Sequence, residues 1–160
     1  MKAAYYKEKG KFEVGETQTR SPGVDEVRLE VAYCGDCGTD VHIYHGVMDQ
    51  RIQPPQIVGH EASATVAEVG EGVEGIQVGD KVAVRPLKFG DPHPFDKGNP
   101  HVGKNLKFIG IDAPGAFQNS WVVPAYTLHA LPDGLSLRHG AFIEQLSVAC
   151  HDVKIGRVKA

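Results

Sequence analysis

The feature that most constrains the fold of this chain is a series of short strand-like segments separated by turns. Apolar and polar residues alternate in VRLEVAY (27–33) and EASATVAEVG (61–70), and shorter segments follow in GDKVAV (79–84) and SWVVPA (120–125). Alternation along a segment is typical of strands that bury one face. With 19 glycines and 10 prolines to form turns, the 160 residues predict one mainly β domain.

Two stretches depart from this strand pattern. Residues from 86 to about 110 are rich in Pro, Gly, Asp and Asn, which predicts a long irregular lobe. Near the C-terminus one helix is predicted after Ser136, because serine suits the N-cap position. Helical spacing places Phe142 and Leu146 on one face of this helix and Glu144 on the opposite face.

Charge and hydrophobicity exclude several classes of partner. The formal net charge is −3 with a sequence pI near 6.2, so the chain offers no basic surface for nucleic acid or anionic lipid. No apolar segment is long enough to span a membrane, and the N-terminal residues lack the apolar run of a signal peptide. Three cysteines are few and odd in number, which is typical of a reduced, cytoplasmic protein.

The segment GEGVEG (70–75) matches the glycine-rich fingerprint of dinucleotide-binding folds, but its context does not. That fingerprint works where it opens a helix whose N-terminus receives the pyrophosphate. Here another predicted strand follows, and two glutamates within the segment would repel phosphate. We therefore interpret the segment as a hairpin turn.

Candidate metal ligands occur in two separate stretches. Cys34 and Cys37 form a C-x-x-C pair, and His60 and Glu61 are adjacent in VGHEA. A catalytic zinc takes three protein ligands of these types and keeps a fourth position open. Because successive strand residues point to opposite faces, His60 and Glu61 can meet one ion only where the backbone bends, and Gly59 permits a bend. Taken alone, the C-x-x-C pair also allows a disulfide, a redox dithiol or half of a zinc clip.

Five motifs in a consistent order carry a family resemblance across nearly the whole chain. They are CGTDVH (37–42), GHE (59–61), VGDKVAV (78–84), GAFQNSWVVPA (115–125) and IEQLSVACH (143–151). In these motifs the chain resembles the zinc-dependent medium-chain alcohol dehydrogenases, and among them the polyol and threonine dehydrogenase branch. The resemblance implies the N-terminal GroES-like catalytic domain of that family, a partly open β-barrel with a C-terminal helix.

The resemblance also implies a metal site with four candidate ligands. Cys37 matches the family's thiolate ligand, and His60 matches its imidazole ligand. Glu61 matches the adjacent carboxylate, which is a direct ligand in some members and displaceable in others. Glu144 matches a carboxylate that ligates zinc or holds its water, so either glutamate can complete the zinc shell. The alternative for Glu144 is a solvated helix residue.

Three further residues match family positions next to the zinc. Thr39 matches the hydroxyl that hydrogen-bonds the substrate oxygen, and His42 matches the relay that carries its proton to solvent, so both are predicted to be catalytic. Asp40 matches a carboxylate that fixes the tautomer of His60. Family members generally have only the second cysteine of the pair. Cys37 is therefore the predicted ligand, and Cys34 is an extra thiol that could form a disulfide with it on oxidation.

The irregular lobe departs from the family pattern. Family members with a structural zinc have four cysteines here, and other residues occupy those positions in this chain: Phe89, Pro92, Phe95 and Gly103. We therefore predict one catalytic zinc and no structural zinc, with Phe89 and Phe95 packing onto the barrel. The alternative is a replacement metal site formed by Asp91, His93, Asp96 and His101.

The chain stops near the point where family members begin their nicotinamide-binding domain, so residues 1–160 are expected to be the catalytic domain alone. The predicted function is oxidation of a secondary alcohol, such as a polyol or a β-hydroxy amino acid, with NAD or NADP in a complete enzyme. We expect little turnover without the cofactor domain, and self-association through bare apolar area around Phe142 and Leu146. The alternatives are an engineered or reconstructed GroES-like scaffold without catalysis, and a thiol-redox protein.

Overall fold

The computed structural model describes residues 1–158, in which short strands are the main regular elements. These residues form ten strands: β1 (Lys2–Glu8), β2 (Lys11–Glu16), β3 (Glu26–Gly35), β4 (Gln56–Ile57), β5 (Glu61–Val69), β6 (Lys81–Val84), β7 (Leu87–Lys88), β8 (Lys107–Phe108), β9 (Ser120–Pro124) and β10 (Leu128–Ala130). The helices are α1 (Gly38–Tyr44), α2 (Leu137–Gly140) and α3 (Ile143–Ile155). The predicted mainly β class is confirmed.

A five-stranded antiparallel sheet forms the main body of the domain, in the order β10-β6-β5-β3-β9. Two alternate residues of β3, Val27 and Leu29, are fully buried and pack with Val66 and Trp121 in the larger core. In the ladder between β3 and β5, Gly35 lies opposite Glu61. The sheet therefore brings the end of β3 beside the start of β5, where both stretches of candidate metal ligands lie.

A second sheet, in the order β2-β1-β4, covers a smaller core. This core contains Tyr6, Ile52 and Val58 together with Ile43, the fully buried residue of α1. Ile43 anchors the helix that begins directly after Cys37, and Val58 lies just before His60. The smaller core thus fixes the two segments that carry the candidate ligands.

The segment GEGVEG is a turn between β5 and β6, as predicted, and no helix follows it. Its glycines have backbone roles, since Gly72 has φ +82° and Gly75 has φ +73°. At Gly70 a Cβ atom would collide with the carbonyl oxygen of Gly23. Close chain packing therefore accounts for the glycine spacing without a bound phosphate.

The predicted C-terminal helix is present as α3, but the segment that follows Ser136 forms a separate short helix, α2, in place of one continuous helix. Ser136 does cap α2, and its hydroxyl accepts a hydrogen bond from the backbone N–H of His139 at 3.2 Å. The buried hydroxyl of Ser63 donates to the carbonyl of Leu137 at 2.5 Å and fixes α2 against β5. A tight turn at Phe142, which donates its N–H to the carbonyl of His139, then redirects the chain into α3.

Among residues 1–158 no helix has the length and apolar character to cross a membrane.

The lobe contains the hairpin of β7 and β8 and two short 3-10 turns, Pro94–Asp96 and Pro100–Val102. Phe89 packs as predicted, because its ring stacks on Tyr126 with centroids 5.2 Å apart. The prediction for Phe95 was wrong, since this residue is 78% exposed. Asp96 holds this part of the lobe instead, accepting hydrogen bonds from the backbone N–H groups of His93 at 2.9 Å and Lys104 at 2.8 Å.

The alternative metal site in the lobe is not assembled in the described chain. Asp91, His93, Asp96 and His101 do not form a group of clustered ligand atoms there. Both carboxylate oxygens of Asp96 accept backbone hydrogen bonds, and Nδ1 of His93 accepts one from the N–H of Phe95. The side chains of Asp96 and His93 therefore stabilise the lobe through local hydrogen bonds.

Candidate metal centre

Cys37, His60 and Glu61 come together where β3, α1 and β5 meet. Each offers one ligand atom, and these atoms all lie within 4.8 Å of one another. Within residues 1–158, no other group of three or more such side chains is this compact. Cys37 is half-buried, whereas His60 and Glu61 are only 3% and 4% exposed. Residues that are distant in sequence thus form one buried cluster of sulfur, nitrogen and oxygen donors.

The backbone bend that lets His60 and Glu61 share this cluster lies at Gly59. Gly59 has φ +88°, and a Cβ atom there would meet the ring of Phe117 at 2.5 Å. β5 begins at Glu61, so His60 lies before the strand. The rule that successive strand side chains point to opposite faces therefore does not apply to this pair. Gly35 makes room on the opposite strand, because a Cβ atom there would overlap the carboxylate of Glu61. The bend predicted at Gly59 is therefore present.

Asp40 joins the two ligand-bearing segments, but by different bonds from the predicted ones. Its carboxylate accepts hydrogen bonds from the backbone N–H groups of Cys37 at 3.0 Å and Gly59 at 3.2 Å. The distance from its Oδ2 to Nδ1 of His60 is 3.9 Å, which is too long for a hydrogen bond. Asp40 thus orients the backbone on both sides of the centre instead of fixing the tautomer of His60. Burial raises the pKa of Asp40, although its two hydrogen bonds oppose that shift.

His60 has the properties of a ligand that stays neutral. Burial lowers its pKa, and its ring lies edge-on to Phe108 with centroids 5.1 Å apart. Its Nδ1 is buried without a hydrogen-bond partner among the described residues. Metals bind neutral imidazole, and a buried polar atom without a partner is costly unless something binds it. Together with Cys37 and Glu61, these properties fit a zinc ion.

Gln145 is a site residue that the sequence prediction missed. Its side-chain amide donates to Oε2 of Glu61 at 2.6 Å and links α3 to the metal centre. One lone pair of the carboxylate is thereby occupied and its orientation is fixed. The only sequence signal for Gln145 was its position next to Glu144 in the motif IEQLS. The sequence does not show which residue its side-chain amide contacts.

Glu144 lies outside the compact cluster but faces a cleft beside it. The cleft, between β6, the lobe and α3, has a volume of about 750 Å³, and its lining includes Glu144, Phe108 and Arg85. Burial, and then the nearby charge of Glu61, raise the pKa of Glu144. Because Phe108 also touches His60, the cleft opens next to the metal centre. Glu144 is therefore a residue of the cleft wall, near Glu61 but not grouped with the three ligand atoms.

The two predicted catalytic residues differ in their surroundings. Thr39 is half-buried, and its Oγ1 lies 3.7 Å from Sγ of Cys37. His42 is exposed one turn further along α1, and no hydrogen bond joins its side chain to Thr39 within residues 1–158. Thr39 is therefore in contact with the cluster, whereas His42 lies at the solvent side of the same helix.

Cys34 is a free, partly buried thiol, and Cys37 and Cys150 are also free. Burial is the main cause that raises the pKa of Cys34 to about 12. A thiol with such a pKa stays protonated near neutral pH and is a poor nucleophile and metal ligand. This environment favours the interpretation that Cys37 is the ligand and that Cys34 is a neighbouring thiol that does not bind the metal.

Comparison with known proteins identifies the family of this fold and site. Residues 23–133 match the alcohol dehydrogenase GroES-like domain family. Over its full length, the chain is 56% identical to the 2-dehydro-3-deoxy-L-galactonate 5-dehydrogenase of Pseudoalteromonas atlantica and covers 47% of that protein. The L-threonine 3-dehydrogenase of Pyrococcus horikoshii is 38% identical over 91% of the chain, which covers 43% of that enzyme.

A solved structure supports the same assignment. The 2R,3R-butanediol dehydrogenase of Bacillus subtilis superimposes with a TM-score of 0.87 at 31% identity, over 99% of this chain and 48% of that one. The chain spans about half the length of these relatives. Its fold, its motifs and its relatives agree, and the chain belongs to the zinc-dependent medium-chain alcohol dehydrogenase family through its GroES-like domain.

Proposed function

We propose that the chain is the zinc-binding catalytic domain of a dehydrogenase that oxidises a secondary alcohol with NAD or NADP. The observation that carries this proposal is the buried cluster of Cys37, His60 and Glu61 beside an open cleft. The cofactor would bind in a nicotinamide-binding part of a longer protein, in keeping with the chain's coverage of 47% of its relative. We place this protein in the cytoplasm, which suits its three free cysteines.

Each site residue has a distinct role in this proposal. Cys37, His60 and Glu61 would hold a zinc ion, which acts as a Lewis acid that makes a bound alcohol more acidic. The hydroxyl of Thr39, in contact with Cys37, would accept a hydrogen bond from the substrate hydroxyl and release its own proton as it takes up that of the substrate. His42 would pass that proton to solvent from the exposed side of α1. Glu144 would hold water or substrate hydroxyls at the wall of the cleft.

The substrate class follows from the relatives and from the cleft. Relatives are named as dehydrogenases of 2-dehydro-3-deoxy-L-galactonate, of threonine and of butanediol, which all carry a secondary alcohol. A cleft of about 750 Å³ has room for a chain of several hydroxylated carbons. We therefore propose a polyol or a related hydroxy acid as the substrate.

Metal content of the reduced protein tests the proposal directly. We expect one zinc per chain in the wild type, none in Cys37→Ser, and one in the matched control Cys34→Ser. Mass spectrometry under native conditions and a chelator assay give these counts. Absence of zinc from the wild type after reconstitution would contradict the proposed function. Loss of zinc from both variants would instead indicate a clip formed by the C-x-x-C pair.

A further inference from the structure

Arg85 differs from the other arginines because its guanidinium is partly buried without a carboxylate partner in the described chain. Three arginines form ion pairs with carboxylates, namely Arg20–Glu26, Arg28–Glu68 and Arg51–Asp112. Arg85 is partly buried and forms no ion pair with any residue of the described chain. Arg138 and Arg157 also lack such a partner there, but both are exposed and hydrated. A partly buried guanidinium without a carboxylate is unusual, because its desolvation is not offset.

Aromatic packing holds the guanidinium of Arg85 in place. Its Cζ atom lies 5.2 Å from the centroid of Phe89, whose ring in turn stacks on Tyr126. Nη2 donates to the carbonyl of Tyr126 at 3.3 Å, whereas the buried Nε has no partner among residues 1–158. The group is thus oriented before any ligand binds and retains unused donors.

The cleft places this cation beside the proposed chemistry. Arg85, Phe108 and Glu144 line the same cleft, and Phe108 touches the candidate ligand His60. Three more basic side chains, those of His101, His129 and His151, line its walls, and Glu144 is the one acidic residue among the lining residues. The part of the cleft around Arg85 therefore favours a negative group.

We propose that the alcohol substrate carries a carboxylate, which Arg85 binds while the reacting hydroxyl lies at the metal centre. This inference rests on the proposed function and specifies its substrate class as a hydroxylated carboxylic acid. A planar carboxylate can accept two hydrogen bonds from one guanidinium. A single negative charge matches the single arginine, whereas a phosphate dianion would add repulsion from Glu144. The binding would use the Nη groups of Arg85, whose one hydrogen bond in the described chain goes from Nη2 to the carbonyl of Tyr126.

The test compares two ligands that differ only at one terminal group. Gluconate carries a carboxylate, and glucitol carries a hydroxymethyl group in its place. Titration of the chain, followed by NMR chemical shifts, gives both dissociation constants. We expect gluconate to bind more tightly than glucitol, and Arg85→Gln to weaken gluconate by roughly tenfold or more, as the loss of charge-assisted hydrogen bonds predicts. Glucitol affinity should stay the same in that variant.

Matched variants separate this effect from others. Arg138→Gln removes the same charge from an exposed site and should leave gluconate affinity unchanged. Arg85→Lys keeps the charge but loses the planar fork, so we expect an intermediate affinity, which also guards against misfolding of Arg85→Gln. Raising the salt concentration should weaken gluconate and not glucitol.

Clear outcomes would overturn the proposal. It fails if wild-type protein binds gluconate no better than glucitol, or if Arg85→Gln weakens both ligands equally while its circular dichroism is unchanged. Cys37→Ser distinguishes this failure from failure of the proposed function. If that variant lacks zinc and retains gluconate binding, the anion site is independent of the metal. If the wild type binds gluconate through Arg85 but never zinc, the proposed function is contradicted, and of the further inference only the contact between Arg85 and the carboxylate is supported.

Discussion

At the scale of single residues, Asp40 shows how one buried carboxylate organises two distant stretches of chain. It accepts hydrogen bonds from the backbone of Cys37 and of Gly59, which lies 19 residues away. Each of these backbone groups lies at or next to a candidate ligand. The geometry of the cluster therefore depends on a residue that contributes no ligand atom to it.

We predict that Asp40→Asn destabilises both the fold and the metal centre. The amide of asparagine must turn an N–H donor toward a backbone N–H, so one buried donor loses its partner. We expect a loss of about 1–3 kcal/mol in the free energy of unfolding and a zinc affinity lower by roughly 10- to 100-fold. Urea titration and chelator competition measure the two effects. Asp36→Asn, at an exposed carboxylate in the same segment, is the control and should change neither.

Glu26 provides a pH-dependent contribution to stability. Its hydrogen bonds from Arg20 lower its pKa from an ordinary 4.5 to about 2. Because the folded pKa is the lower one, the stabilisation is complete above pH 4.5 and is lost as the pH falls toward 2. Arg20 is 59% exposed, so solvent screening limits the contribution to about 1 kcal/mol.

We therefore expect Glu26→Gln to be less stable than the wild type at neutral pH and equally stable near the acid end of that range. Urea unfolding of both proteins across this pH range measures the difference. Glu74→Gln, at an exposed glutamate without an ion pair in the described chain, should show no such trend. A constant difference at every pH would contradict the assignment to Glu26 ionisation.

At the scale of elements, α3 is attached to the domain mainly at its N-terminal end. Gln145 binds Glu61, and the helix packs against β5 and β6. No residue of α3 is fully buried, and Val153 and Ile155 near its C-terminus are exposed. A helix with so little buried surface relies on its few specific contacts.

We predict that the amides of α3 exchange hydrogen faster than those of β3 and β5, and fastest near Ile155. Few buried contacts allow local opening at a lower free energy than global unfolding. Gln145→Ala should speed exchange throughout α3, because it removes the bond to Glu61. Ser147→Ala, which removes only a local bond to the carbonyl of Ile143, should not. Equal protection of α3 and β5 would contradict this description.

At the scale of the whole molecule, the two cores stabilise the sheets, and apolar area is left bare on α3. Phe142 and Leu146 are 57% and 63% exposed on neighbouring turns of one face. Contiguous apolar area of this kind tends to associate. The expected self-association thus has a defined surface, although the rest of a longer protein could cover the same face.

We predict that the isolated chain self-associates reversibly at high concentration and that Leu146→Glu reduces this association. A charge in the centre of the patch must be desolvated when two copies meet. Sedimentation velocity over a wide concentration range measures the effect. The matched control is Val14→Glu, at an apolar residue that is 72% exposed on β2, away from α3. A chain that remains monomeric at millimolar concentration would contradict the prediction.

The sequence by itself determined the features that depend on local pattern. Alternation predicted the positions of β3 and β5, short apolar segments predicted β6 and β9, and turn-forming residues marked GEGVEG as a connection between strands. Ser136 was identified as a helix cap from residue type alone. The motifs around Cys37 and His60 indicated the family and the metal ligands, because metal chemistry restricts the residue types that can serve.

Only the tertiary structure decided which side chains meet across the fold. It pairs Gln145 with Glu61, 84 residues away, and directs the bonds of Asp40 to backbone groups instead of His60. It exposes Phe95, which was predicted to pack onto the barrel in place of a family cysteine. Likewise, it leaves Arg85 without a carboxylate beside the cleft. The physical reason is that hydrogen bonds act over a few ångströms between partners whose separation along the chain carries no information about their distance in space.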